Sequence, residues 1–115
     1  VGLAEEGDTP AMLLPYGRNR ALEIATTIAL DPKLLLLDEP MAGLAPEDIR
    51  RIADLIRALG RERTILMVEH NLSVVANLCD RIPVLTRGEV LAEGTYAEVS
   101  AIPAVQDAYM GTGDE

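Results

Sequence analysis

Phenylalanine and tryptophan are absent from this chain and tyrosine occurs only three times, so any core it builds is aliphatic. Cysteine occurs once, at Cys79, which excludes an internal disulfide and fits a reducing compartment. Lysine also occurs once. Lys33 lies between Pro32 and Leu34, so the chain has no glycine-rich loop with Lys beside Ser or Thr of the kind that cradles nucleotide phosphates. Basic residues are outnumbered, 10 against 19 acidic, and the formal charge of −9 argues against a nucleic-acid surface. No apolar run approaches the length of a membrane span, and no signal-peptide pattern is visible. A chain of this kind that works at a membrane docks on a partner there. Internal repeats and low-complexity segments are also missing.

What remains is a chain of 115 residues with 49% apolar content, which allows one small domain with an ordinary core. Its organising stretch is Leu34-Leu35-Leu36-Leu37-Asp38-Glu39-Pro40. A leucine run without alternation suits a parallel strand buried on both faces. Pro40 cannot donate to a ladder and ends it. Asp38 and Glu39 then fall at the carboxyl end of the strand, where open α/β sheets place their ligands. Nucleotide hydrolases use this layout: one carboxylate holds Mg²⁺, directly or through water, and the next polarises the attacking water. The plainer reading is a buried strand followed by two solvated acids.

The flanking segments read as follows. Val1 to Leu14 is a short helix end and an Asp8-Thr9-Pro10 loop. Arg18 to Leu30 is a helix with Ala21, Leu22, Ala25, Ile28 and Ala29 at helical spacing, stopped by Asp31-Pro32. Pro46 opens a second helix, with Glu47 and Asp48 suited to its positive end. Its stripe is Ile49, Ile52, Ala53, Ile56 and Leu59, Glu47 and Arg51 form an i,i+4 pair, and Gly60 stops it. Thr64 to Val68 is a second buried strand, and Glu69 and His70 follow it. A strand, a helix and a strand in this length imply a parallel crossover. Asn71 caps a helix through Cys79, and Ile82–Leu85 with Glu89–Leu91 make a hairpin about Arg87-Gly88. Thr95 and Glu98 suit a capping box, a last helix runs from near Pro103 to Gly111, and residues 113–115 are expected to fray.

Taken in order, Leu14-Pro15-Tyr16-Gly17-Arg18, Leu34–Glu39, Met41-Ala42-Gly43-Leu44-Ala45-Pro46 and Glu69-His70 resemble the ATP-binding subunits of ABC transporters. They stand as a degenerate signature motif, a Walker B strand, a D-loop and an H-loop. The likeness is in particular to the ATPase subunits of branched-chain amino acid importers. It rests on Tyr16-Gly17 with Arg20-Ala21-Leu22-Glu23-Ile24-Ala25, and on the tail Glu93-Gly94-Thr95 to Ala108-Tyr109-Met110-Gly111.

The resemblance implies an α/β fold, a partial P-loop NTPase of the ABC type. It has a parallel sheet with flanking helices, then a β-hairpin and short helices. The signature region and helix would take residues 1–30, the Walker B to H-loop core and hairpin 31–94, and a helical tail 95–115. It makes Asp38 the Mg²⁺-linked acid, Glu39 the general base and His70 the γ-phosphate contact. Pro15, Tyr16, Gly17 and Arg18 would meet the ATP of a second subunit, and Gly43, Leu44 and Ala45 would cross the dimer interface. Pro15 stands where the family has serine, Arg18 where glutamine is common, and Ala45 where an acid or amide is usual.

By the same resemblance the cofactors are ATP and Mg²⁺, held only together with a missing N-terminal half. The chain begins at Val1 rather than Met, and the family carries a longer part upstream, including the phosphate-loop strand. That strand would lie between the Thr64–Val68 and Ile82–Leu85 strands, so an incomplete sheet and marginal stability are expected here. The implied partners are a second ATPase subunit, membrane permease subunits and, indirectly, a periplasmic or extracellular amino acid binding protein, with no nucleic acid. The implied place is the cytoplasmic face of the plasma (inner) membrane, peripherally bound. Three readings stay open: the hydrolytic part of such an importer ATPase, a catalytically dead chain that fills a subunit interface, and an ATPase head fragment of a DNA-repair type protein. The last would expect an upstream coiled coil and a basic face, which the sequence lacks. Without its phosphate cradle the chain alone is expected to be inactive.

Overall fold

The leucine run does form a strand, β1 (Leu34–Asp38), paired in parallel with β2 (Thr64–Val68) in the register Leu34↔Thr64 to Asp38↔Val68. The ladder extends past both ends. Thr64 N–H donates to the Lys33 carbonyl at 2.9 Å, and Glu39 N–H donates to the Val68 carbonyl at 2.7 Å. These features come from a computed structural model that describes residues 1–110. Two compact units make up the chain, one of Val1–Glu69 and one starting at His70.

In the first unit, short 3₁₀ turns at Ala4–Glu6 and Ala11–Leu13 lead into helix α1 (Tyr16–Ile28). It starts two residues before the expected Arg18. Its buried face matches the expected stripe only in part: Ala21 is inside, joined by Gly17 and Ile24, while Leu22, Ala25 and Ile28 are half-buried and Ala29 is exposed. The helical period admits both stripes, and small Gly17 and Ala21 allow the closer approach. Asp31, at φ 50°, turns the chain through the left-handed region that Asp tolerates.

Helix α2 (Pro46–Leu59) matches its reading, with Pro at the first position, Glu47 and Asp48 in the first turn, and Ile52, Ala53 and Ile56 buried. The expected Glu47–Arg51 pair is replaced by Arg51–Asp48 at 3.9 Å, one residue closer along the helix. Leu35 and Met41 complete the buried apolar set with these residues.

The expectation that β1 and β2 are buried on both faces is wrong for this chain. Leu35 is 1% exposed, but Leu34 and Leu36 are 54% and 64% exposed, and Leu66 and Val68 on β2 are similar. By the register, these four side chains share one face of a sheet only two strands wide.

The second unit holds α3 (Leu72–Leu78), capped by Asn71 through a hydrogen bond accepted from Val74 N–H. Strands β3 (Ile82–Thr86) and β4 (Glu89–Gly94) form the antiparallel hairpin. Arg87 and Gly88 both have φ above 50° at its turn, the geometry that matches strand twist in a two-residue connection. The pairing shifts between Val84 and Leu85, so β4 runs longer than the expected Glu89–Leu91. Glu93 accepts a hydrogen bond from Arg81 at 2.9 Å and holds that exposed guanidinium above its ordinary pKa.

Helix α4 (Tyr96–Ser100) carries the capping contacts. Thr95 Oγ1 accepts from Glu98 N–H, and the Glu98 carboxylate meets the same hydroxyl rather than the Thr95 N–H. Helix α5 (Pro103–Val105) continues into a wider π turn over Gln106–Met110. Val84, Val99 and Val105 make this unit's core, with Ile82, Leu91 and Ala92 against it. The expected helix end at Gly111 and the fraying of residues 113–115 lie outside the described residues.

Among the described residues the two sheets share no strand pairing: β1 pairs with β2, and β3 with β4.

The exposed Leu34, Leu36, Leu66 and Val68 face should drive self-association. Covering each half-exposed aliphatic chain is worth about 1 kcal/mol. Replacing Leu36 and Leu66 together with Thr should weaken association by about tenfold or more, read by sedimentation equilibrium, with the circular dichroism unchanged. Unchanged association would show that this face is not the sticky one.

Candidate functional site

The carboxylate end of β1 is built by the ladder. Asp38 sits opposite Val68, so the two strands finish side by side, and the acids after each one emerge at the same edge. Asp38 is exposed and Glu39 half-buried. Glu39 is the turning point. Its φ is 45°, a left-handed conformation that a glutamate adopts at a cost of about 1 kcal/mol or more. From there the chain reverses: Ala42 N–H donates to the Glu39 carbonyl at 3.1 Å, and Leu44 N–H to the Met41 carbonyl at 3.2 Å. Gly43, at φ 76°, completes the turn.

Glu69 reaches across from the end of β2, where its Oε2 accepts from Met41 N–H at 3.4 Å. His70 follows and begins the second unit. Glu69 thus joins the turn although no role is expected of it from sequence; its place at a strand end beside His70 is the signal that points to it.

The signature-like segment lies against this turn. Pro15 is the N-cap of α1, and its carbonyl accepts the first helical bond from Asn19 N–H at 2.9 Å. Tyr16 Oη approaches the Ala42 carbonyl at 3.4 Å, and a Cβ on Gly43 would stand 3.2 Å from the Tyr16 ring. The structure therefore brings Tyr16 together with Gly43 and with the turn that carries Glu39. Arg18 points elsewhere: it donates to the Gly2 carbonyl at 2.8 Å and pairs with Glu6 at 3.5 Å. Ala45 is the N-cap of α2 and has no side chain to cap with, while Leu44 is half-buried. Gly17 faces Asp48, whose carboxylate sits where a Cβ would be, 2.2 Å from its Cγ. That carboxylate lies by the first turn of α1, where the helix dipole favours negative charge. A phosphate arriving at this helix start would meet it.

A hard cation that keeps most of its waters needs only one or two carboxylates, which Asp38 and Glu39 can offer. Among the described residues no three His, Cys, Asp or Glu side chains converge to hold an ion by themselves. A cation here would therefore be shared with water and phosphate oxygens. The phosphate end does not fit. Lys33 precedes β1, at the strand's other end, about 16 Å from Asp38 at the strand rise per residue. The only lysine of the chain thus cannot join the carboxylates on one triphosphate.

A family model described as "Branched-chain amino acid ATP-binding cassette transporter" matches residues 89–115, the stretch that contains the tail singled out in the sequence. The chain is similar to the high-affinity branched-chain amino acid transport ATP-binding protein LivG of Salmonella typhimurium, 41% identical over 113 residues, covering 96% of this chain and 44% of that protein. It is 39% identical over 113 residues to the corresponding protein BraF of Pseudomonas aeruginosa, with the same coverage. A solved nucleotide-free ATP-binding cassette from an ABC transporter superposes with a TM-score of 0.85 at 30% identity, covering 93% of this chain and 44% of that one. The chain thus spans less than half the length of the relatives it matches.

Because an added Cβ at Gly17 runs into the Asp48 carboxylate, Gly17→Ala should destabilise the chain by about 1 kcal/mol, with overpacking outweighing the better helix propensity of Ala. Adding Asp48→Ala should remove that cost in a double-mutant cycle read by urea unfolding. Equal stabilities for Gly17→Ala and the parent would show that Asp48 swings away freely.

Proposed function

We propose, from the premise that this chain belongs to the branched-chain amino acid ATP-binding cassette transporter family, that it supplies the hydrolytic half of an ATP-binding subunit energising branched-chain amino acid uptake. The single observation that carries this is the parallel register Asp38↔Val68, which lays two acid-bearing strand ends side by side. The start of α1 folds against the turn between them. In this reading Asp38 would hold Mg²⁺, directly or through water, Glu39 would serve as the general base toward the attacking water, and His70 would contact the γ-phosphate. Tyr16 and Gly17 present the α1 start to the nucleotide of a second ATPase subunit, with Gly43, Leu44 and Ala45 at that interface. Pro15 offers neither hydroxyl nor N–H there. Arg18 already donates to the Gly2 carbonyl and pairs with Glu6, so its help to a phosphate requires giving up those contacts.

Mg²⁺ and ATP, when bound, supply the metal charge and the phosphoryl group of the reaction. The partners are the second ATPase subunit, the permease subunits and, through them, an amino acid binding protein. Attachment to the cytoplasmic face would run through the permeases; among the described residues no helix is long and apolar enough to cross a membrane. A second reading, a catalytically silent interface module, draws on the position of Lys33 at the far end of β1. The transporter match in the tail favours either of these over a DNA-repair ATPase head.

A steady-state ATPase assay tests the proposal. The chain alone should show no Mg²⁺-dependent turnover. Fused to an intact phosphate-loop half, it should turn over ATP, and Glu39→Gln should then cut turnover by about 10²–10⁴-fold, the usual worth of a general base. No turnover in the fusion would favour the interface module. Turnover by the isolated chain, lost on Glu39→Gln, would overturn the account of the missing cradle.

A further inference from the structure

Arg20 is tied to the turn beyond β1 by several bonds at once. Its Nη1 donates to the Glu39 carbonyl at 3.2 Å and to the Pro40 carbonyl at 2.7 Å. Its Nη2 donates to Tyr16 Oη at 3.0 Å, and its Nε pairs with Glu23 at 3.1 Å. The guanidinium also lies 5.6 Å from the centre of the Tyr16 ring, within cation–π range. The side chain is only 17% exposed.

Tyr16 and Arg20 are four residues apart and so share one face of α1. Between them they meet the carbonyls of Glu39, Pro40 and Ala42. All three carbonyls belong to the turn that begins where the chain reverses at Glu39 in the left-handed region. Left to itself, that conformation relaxes toward ordinary backbone. A planar cation holds it by several donors at once: Nη1 meets the Glu39 and Pro40 carbonyls while Nη2 and Nε meet Tyr16 and Glu23, and a lysine's single ammonium cannot reach all four partners.

We propose that Arg20, steadied by Tyr16, is a positioning residue for Glu39. It fixes the turn from which the Glu39 carboxylate is presented, and it ties that turn to the start of α1. This deepens the reading given above and rests on it for what Glu39 does, but the positioning itself needs no nucleotide. Its consequence is that a contact made at Tyr16 by a second subunit would be felt at Glu39 through one side chain.

Amide hydrogen exchange on the full chain, without nucleotide, tests this. Arg20→Ala should speed exchange at the Ala42 and Leu44 amides at least tenfold, while amides within α2 and β2 stay within twofold of the parent. Arg20→Lys should recover only part of the protection. Tyr16→Phe, which keeps the ring against Gly43 but removes the hydroxyl, should give a smaller rise at the same two amides. Parent-like exchange at Ala42 in Arg20→Ala would overturn the proposal, as would an equal rise throughout residues 1–69. If Arg20→Ala does not fold, the two milder variants decide: parent-like turn amides in both would overturn it. A completed subunit that fails to hydrolyse ATP would sink the functional reading and leave the exchange result standing.

Discussion

The hydrogen bond from Glu39 N–H to the Val68 carbonyl closes the β1–β2 ladder, and the rest of the site depends on it. At 2.7 Å it is short for a backbone bond, and it is made by the residue where the strand stops being a strand. It fixes where β1 ends relative to β2, and hence which acids share an edge. A chain that continued straight would carry the Glu39 carboxylate away from that edge. The left-handed step turns it back at a local conformational cost, offset by the carbonyl contacts gathered from α1.

Sequence order and spatial order thus differ in an instructive way. In the chain, Tyr16 and Gly43 are separated by a helix and a strand. In space they touch, because the chain folds back on itself after β1 and again after Pro40. The two motifs read separately are two sides of one arrangement, and Arg20 is the joint between them. Asp48 adds a fixed negative charge at the same helix start, packed so closely that only glycine leaves room for it.

How much of this was legible depended on which physical signal a residue carried. The α2 stripe was readable because its apolar and charged faces are cleanly separated, and the buried Ile52, Ala53 and Ile56 follow it. The Arg87-Gly88 turn and the Asn71 and Thr95 caps were readable because their chemistry is local. The leucine run was misread as buried on both faces because burial is decided by what else is in the fold, and only Leu35 is fully covered. The α1 face was only partly legible because the helical period admits a neighbouring stripe: Ala21 is inside as expected, but Gly17 and Ile24 complete the buried face in place of Leu22 and Ala25. Arg20 and Glu69 stand within the motifs but carried no expected role, because a charged side chain bonded to backbone carbonyls or amides leaves no compositional trace. Their partners, Pro40 and Met41, lie about 20 and 28 residues away.

The four leucines of β1 are interchangeable, so nothing in their pattern tells one register from the next. Registration comes from the two ends, at Lys33 and at Glu39. The strand therefore behaves as a ruler, whose length carries information that its lettering does not. On its exposed face, at Leu34 and Leu36, one aliphatic residue can be exchanged for another with modest loss. Removing a single leucine would look trivial in composition, yet it would move Asp38 to the opposite face of the sheet and leave Glu39 without its place on Val68.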